Sequence, residues 1–251
     1  MTIDLQGRIV LVTGGARGIG HAVSRLFAEA NARVAVHYNR SKTEAGELAE
    51  RVPGAMAFQA DLTDSAAARQ LFRNVLTDMG GLDVLINNAG LARKVGWQES
   101  GADWEWAWDE TMSVNLKSAA LLSRLALGHF VEHGGGRIVT VSSRAAFRGD
   151  TPEFMAYAAS KAGLVGLTRS IARGFGKKGV SAFLVAPGFT RTDMAQEFID
   201  EYGEDYAVSD IALSRLTEPE DVARIVVFLA SGLADHATGC TVDVNAGSYV
   251  H

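Results

Sequence analysis

Thr13-Gly14-Gly15-Ala16-Arg17-Gly18-Ile19-Gly20 stands between two stretches of different periodicity, and that position decides the fold. Before it, Ile9-Val10-Leu11-Val12 is a short β-branched run without polar alternation. After it, Ala22, Val23, Leu26, Phe27 and Ala30 recur at helical spacing. A strand that is apolar on both faces belongs inside a sheet covered by helices on each side. Glycines between such a strand and a helix let backbone approach a diphosphate closely, and the helix N-terminus offers N–H donors and a positive dipole. The stretch therefore reads as a dinucleotide-binding turn lined by Gly14, Arg17, Gly18, Ile19 and Gly20.

The same alternation continues along the chain. Val34-Ala35-Val36 precedes a helix from about Lys42, Ala55 to Phe58 precedes one from about Ser65, and Val84-Leu85-Ile86 follows. A long helix is expected from Thr111 to Glu132, then the strand Ile138 to Val141, a helix from Tyr157 to Phe175 and the strand Ala182 to Val185. A helix near Asp221 to Ala230 precedes Val242-Asp243-Val244. The fold class is α/β: a doubly wound parallel sheet (Rossmann fold) of about seven strands with helices on both faces. No linker or composition shift divides residues 1–251, so one domain is expected. Thr190 to Leu216 lacks strand character and is rich in Asp, Glu and Tyr, which suits a segment covering a substrate site.

Composition excludes several classes. A formal net charge of −5 leaves no basic excess for nucleic acid. Cys240 is the only cysteine, which rules out an internal disulfide and any cysteine-built metal cage. No apolar run is long enough to span a membrane, and the polar start of the chain is not that of a signal peptide, so a cytoplasmic protein is expected.

Chemistry concentrates late in the chain. In Tyr157-Ala158-Ala159-Ser160-Lys161 the tyrosine and lysine share one helix face, a turn apart. A neighbouring ammonium is expected to draw a phenol down from its ordinary pKa towards the working range. Ser143 ends the fifth strand, where a hydroxyl opens onto the ligand crevice of a doubly wound sheet and can polarise a carbonyl oxygen; Ser142 points to the opposite side.

Together these residues resemble the short-chain dehydrogenase/reductase family over essentially the whole chain. The glycine turn is similar to its Thr-Gly-x-x-x-Gly-x-Gly, Asn88-Ala89-Gly90 after Asn87 to its adenosine-side motif, and Asp61-Leu62 to the pair beside adenine. Pro187-Gly188 with Thr190 and Thr192 resembles the segment holding the nicotinamide carboxamide, and Asn115 the helix asparagine that holds a proton-relay water. The resemblance implies hydride transfer between a nicotinamide and a carbonyl or secondary alcohol. Tyr157 is then the acid/base, Ser143 stabilises the oxyanion, and Lys161 tunes the tyrosine and binds ribose hydroxyls. It also implies a homo-oligomer, dimer or tetramer, paired through Thr111–Glu132 and Tyr157–Phe175. The Ser143-to-Tyr157 gap is one residue longer than the family often has, which implies an extra loop residue between them. In overall pattern the chain is similar to 3-oxoacyl carrier-protein reductases, yet Glu132-His133-Gly134-Gly135-Gly136 lacks the basic residues such enzymes often present there. Sugars, polyols, ketones, steroids and 3-oxoacyl thioesters all stay open as substrates.

Cofactor choice is legible at the second strand. NAD-selective folds place an acidic residue at its end to accept from the ribose 2′-hydroxyl. Here the chain reads His37-Tyr38-Asn39-Arg40-Ser41, with Arg17 in the glycine turn, so NADP(H) is expected, its 2′-phosphate held by Arg17, Arg40 and Ser41, with Asn39 also cofactor-binding. Two rival readings fit the residues less well. His129-Phe130-Val131-Glu132-His133 spells the H-x-x-E-H of zinc peptidases, but Gly134 to Gly136 end the helix at the second histidine, so no metal is expected. A nucleotide-binding protein without chemistry would lack part of the Asn115, Ser143, Tyr157 and Lys161 set, and all four are present. Trp97, Trp104, Trp106 and Trp108 read as packing, and Arg93, Lys94 and Arg144 as surface charge beside the pocket.

Overall fold

The structure, a computed structural model, describes residues 2–193, 195–196, 203 and 208–250. Seven strands form one sheet in the order β3-β2-β1-β4-β5-β6-β7. They are β1 (Ile9–Val12), β2 (Arg33–Tyr38), β3 (Met56–Gln59), β4 (Val84–Asn87), β5 (Gly136–Val141), β6 (Val180–Pro187) and β7 (Thr241–Val244). Every neighbouring pair is parallel, with Val10 beside Val34 on one side and Val84 on the other. Between strands run α1 (Gly18–Glu29), α2 (Lys42–Arg51), α3 (Ser65–Met79), α4 (Gly101–Met112), α5 (Ser118–Glu132), α6 (Ala145–Arg148), α7 (Met155–Phe175) and α8 (Pro219–Ala230).

The pleat sorts the apolar strands into two cores. Val10, Val12, Val34, Val36, Ile86 and Val139 pack with Phe27 of α1 and Val226 of α8. Ile9, Leu11, Ala35, Leu85 and Ile138 turn the other way, against Leu71 of α3, Phe130 of α5 and Ile171 of α7. Alternate residues of a strand face opposite sides, so strands apolar at every position need helices on both. Local chemistry sets the ends. Asp64 caps α3 by accepting the Ala66 N–H at 2.7 Å, and Gly80 closes that helix in the left-handed region. Pro219 and a reciprocal Glu218/Asp221 capping box start α8.

Because β1 is flanked by β2 and β4, the loops leaving β1 and β4 diverge and open a crevice at their carboxyl ends. Thr13, Asn88 and Gly188 directly follow a strand on that edge, and Ser143 stands two residues past the end of β5.

Three details differ from the sequence reading. The helix expected from Thr111 begins ten residues earlier, at Gly101, with Ser100 accepting the Asp103 N–H at 3.1 Å; the close run of tryptophans in α4 hides its periodicity. It is also interrupted by a π turn, Ser113–Lys117, centred on Asn115. There the Ser118 N–H reaches Ser113 O, which leaves Val114 O to accept the Ser118 hydroxyl at 2.6 Å. A short α6 also follows Ser143, with no counterpart in the hydrophobic periodicity. Of the covering segment expected over Thr190 to Leu216, residues 194, 197–202 and 204–207 lie outside the described residues.

Candidate active site

The glycine turn is held from the β4 side. The Thr13 hydroxyl donates to Ile86 O at 3.1 Å and accepts the N–H groups of Asn88 and Ala89 at 2.9 and 3.0 Å. The Asn88 amide donates back to Thr13 O and Gly14 O at 2.9 and 3.1 Å. Gly14 sits at φ +61°, and a Cβ on Gly20 would stand 2.0 Å from Gly14 O. Only glycine lets α1 start this close to the turn. Its N-terminus carries no side-chain cap, since Arg17 at the N-cap position makes none. An uncapped helix end over a cradle that Cβ atoms would fill is the donor set a diphosphate needs, so these residues fit a dinucleotide.

At the adenosine end, Asp61 is exposed and accepts from the N–H and hydroxyl of Thr63 at 2.9 and 2.8 Å, bonds that hold its carboxyl below the usual range. Leu62 beside it is buried. Asn39 and Arg40 are exposed in the turn between β2 and α2, and Ser41 is the N-cap of α2, its hydroxyl capping no backbone N–H. Arg17 reaches Asp193 at 3.3 Å, in a pair exposed on both sides.

At the other end of the crevice the Gly188 N–H donates to Val244 O at 3.0 Å. Thr190 is buried, donates to Gly188 O at 3.2 Å and bridges to Thr217. Thr192 lies against Gly18, whose Cβ would be 3.2 Å from the threonine methyl, so the segment after β6 crosses the glycine turn. A loop this tied down is a wall of the crevice.

Ser143, Tyr157 and Lys161 meet at the end of β5. The Ser143 hydroxyl faces the Tyr157 hydroxyl and accepts the Ala145 N–H at 3.1 Å. Ser142 faces away, donating to Lys161 O at 2.9 Å. Lys161 is buried, its Nζ 5.6 Å from the centre of the Tyr157 ring and donating to Val141 O at 3.0 Å. Gly90 closes this corner, since a Cβ there would meet Lys161 Nζ at 3.3 Å.

The electrostatics correct one expectation. Burial pushes the Tyr157 phenol above its ordinary value, opposed by the Ser143 bond and reinforced by the Asp150 carboxylate; the same burial brings Lys161 down from 10.5 to about 8. Desolvation, and not the neighbouring ammonium, sets the direction of the phenol's shift in this structure. Asn115 lies on the other side of this corner, in the π turn. Its side chain accepts the Leu91 N–H at 2.9 Å and donates to Leu91 O at 2.9 Å and Ser160 Oγ at 3.0 Å. Those bonds brace the loop after β4 against α7.

Sequence reasoning missed three contributors. Thr13 is the staple described above. Asp150 acts on Tyr157 from the loop before α7, and His37 is buried behind the glycine turn. The cations beside the pocket turn out to be paired: Arg93 makes a two-point bond to Glu110, while Arg144 and Arg148 both reach Asp210 Oδ2, at 2.7 and 3.0 Å. Trp104 stacks on Trp108 at 5.0 Å, whereas Trp97 and Trp106 are exposed, the latter under Arg93. The histidines of the H-x-x-E-H run stack at 4.1 Å, and His129 Nε2 accepts the Leu82 N–H at 3.2 Å. Among the described residues no three metal-ligating side chains converge, and no helix is long and apolar enough to cross a membrane.

Known proteins share this fold over nearly the full length. The chain matches the family described as enoyl-(acyl carrier protein) reductase over residues 14–249. It is 35% identical to the 3-oxoacyl-(acyl-carrier-protein) reductase FabG of Aquifex aeolicus, across 99% of this chain and 100% of the relative. A short-chain dehydrogenase from Burkholderia cenocepacia in complex with NADP superimposes with a TM-score of 0.90 at 34% identity, covering 98% of this chain and 99% of that one. The NADP-bound putative gluconate 5-dehydrogenase of Beutenbergia cavernae superimposes with a TM-score of 0.90 at 34% identity, covering 99% of both chains. With the glycine turn, the parallel sheet and the serine, tyrosine and lysine cluster in the same frame, the chain belongs to the short-chain dehydrogenase/reductase family and is an NAD(P)-dependent oxidoreductase.

Proposed function

We propose that this enzyme interconverts a carbonyl and a secondary alcohol using NADP(H), with Tyr157 as the acid/base residue. The observation that carries the reading is the Tyr157 hydroxyl, facing Ser143 and backed by Lys161 where β5 opens into the crevice. A bound nicotinamide supplies or accepts the hydride. The protein does the rest. Tyr157 transfers its phenolic proton to the carbonyl oxygen as that oxygen gains charge, and Ser143 turns its hydroxyl onto the same oxygen. Lys161, anchored on Val141 O, places a positive charge under the ring, which steadies the phenolate that proton transfer leaves behind. In oxidation the same phenolate takes the alcohol proton.

NADP(H) over NAD(H) is supported by the absence of any carboxylate from His37 to Ser41, by the exposed Arg40 and by the uncapped N-terminus of α2, which suits a phosphate. The relatives' names add NADP in two solved structures and a 3-oxoacyl thioester substrate in others. Arg93 and Arg144 are each neutralised by a carboxylate, so neither stands as a counter-ion for an acidic substrate. We include a symmetric homo-oligomer in the proposal. α7 presents Ala159, Ala162 and Gly166 to solvent, a strip flat enough for a second helix to approach.

The test is NADPH oxidation followed by absorbance over a panel of ketones, sugars and 3-oxoacyl thioesters, with wild type and Tyr157→Phe. The variant keeps fold and cofactor affinity and loses turnover by about 10³-fold or more. Turnover near wild type in a folded, contaminant-free Tyr157→Phe enzyme refutes the assignment.

A further inference from the structure

The penultimate residue of β2 is a histidine whose ring nitrogens and carbonyl serve the nucleotide-side backbone. His37 is 2% exposed. Its Nδ1 accepts the Gly14 N–H at 3.0 Å, its Nε2 faces Ala60 O at 3.1 Å, and its own carbonyl accepts the Gly15 N–H at 2.8 Å. These partners fix the tautomer. A ring nitrogen facing an amide N–H must offer a lone pair, and one facing a carbonyl must carry the hydrogen, so the ring is neutral with its proton on Nε2.

The two residues it joins are 46 apart in sequence and sit at opposite ends of the nucleotide site. Gly14 is the left-handed residue of the turn, gripped on its carbonyl by Asn88 at 3.1 Å and on its N–H by His37. Ala60 directly precedes Asp61-Leu62, the pair on the adenosine side. With the Gly14 and Gly15 amides turned towards β2, a diphosphate is left to the first-turn amides of α1. The position of that helix end depends on where Gly14 lies, because α1 packs on Gly14 O through Gly20.

We propose that His37 is a positioning residue for the dinucleotide, its neutral imidazole setting the spacing between the diphosphate turn and the adenosine-side pair. The inference rests on the dinucleotide reading of the crevice but not on the choice between NADPH and NADH, since the contact lies on a turn common to both.

Three substitutions separate its parts. His37→Phe keeps the ring and removes both polar contacts, His37→Asn places an amide oxygen where Nδ1 stands, and His37→Gln places an amide nitrogen near Nε2. In the Phe variant KM and the directly titrated Kd rise about tenfold for NADPH and for NADH alike, as for one lost hydrogen bond. The kcat at saturating nucleotide falls by less than KM rises. His37→Asn recovers most of the affinity because the Gly14 bond returns, while His37→Gln does not. A folded Phe variant with Kd within twofold of wild type, or one in which only NADPH is affected, overturns the proposal. If wild type favours NADH, the 2′-phosphate reading falls and the shared rise in Kd still decides the role of His37. Should the Phe variant fail to fold, ¹⁵N spectra of the imidazoles in wild type decide: a neutral Nε2–H ring at pH 7 supports the role, and an Nδ1–H or protonated ring overturns it.

Discussion

Lys161→Met should make the enzyme more stable while abolishing its chemistry. The ammonium is 4% exposed, and burial alone brings it from 10.5 to about 8. A depression of that size corresponds to about 3 kcal/mol of unfavourable burial at neutral pH. Removing the group also deletes its bond to Val141 O, a loss of about 1 to 2 kcal/mol, so the variant gains roughly 1 to 2 kcal/mol at pH 7. In a chain of this length that raises Tm by about 2 to 8 °C. Its pH dependence carries the physical signature. Below pH 8 the lysine is charged both folded and unfolded, and the folded chain bears the whole cost. Between pH 8 and 10.5 the unfolded lysine holds a proton that the folded one has released, so wild-type stability climbs relative to the variant, and above 10.5 no burial cost remains. Thermal melts of both proteins without nucleotide, at pH 7 and at pH 10, measure the gap directly. A variant less stable than wild type at pH 7, by a margin that stays constant to pH 10, refutes the reasoning.

Other perturbations probe separate contacts. Gly20→Ala drives a Cβ to 2.0 Å from Gly14 O, a backbone atom that cannot swing aside; a destabilisation of about 3 kcal/mol and loss of NADPH binding are expected in denaturant titration and fluorescence. Gly46→Ala, with open space around it in α2, is the control and should stabilise by about 0.5 to 1 kcal/mol. Arg40→Asp should raise KM for NADPH by about tenfold or more and narrow its advantage over NADH, with little change at saturation; unchanged NADPH affinity in an Arg17→Ala, Arg40→Ala double variant contradicts the 2′-phosphate reading. Ser143→Ala should lower kcat by about 10²-fold or more, and because the serine bond opposes the rise of the phenol, the tyrosine limb of the kcat profile should move to higher pH. Light scattering at micromolar concentration should report a mass of two or four times 26.7 kDa, and a monomer alone counts against pairing through α5 and α7.

Much of this architecture is local and so stands in the sequence. The β-branched runs, the helical spacing after each and the glycine turn between β1 and α1 specify a doubly wound parallel sheet, because each depends on neighbours a few residues away. Tyr157 and Lys161 are legible for the same reason: one helix turn separates them. Tertiary structure alone decided what depends on distant partners. The preference for Ser143 over Ser142 became a geometry only when one hydroxyl met Tyr157 and the other met Lys161 O. The Asn115 amide found Leu91 and Ser160, and the π turn that presents it leaves no mark in hydrophobic periodicity. The sign of the tyrosine shift depends on how much protein surrounds the phenol, a property of burial and not of i, i+4 spacing. His37 read as one more residue at a strand end until the fold brought Gly14 and Ala60 to its two nitrogens, since a tautomer is set by what lies across space and not by what precedes it in the chain.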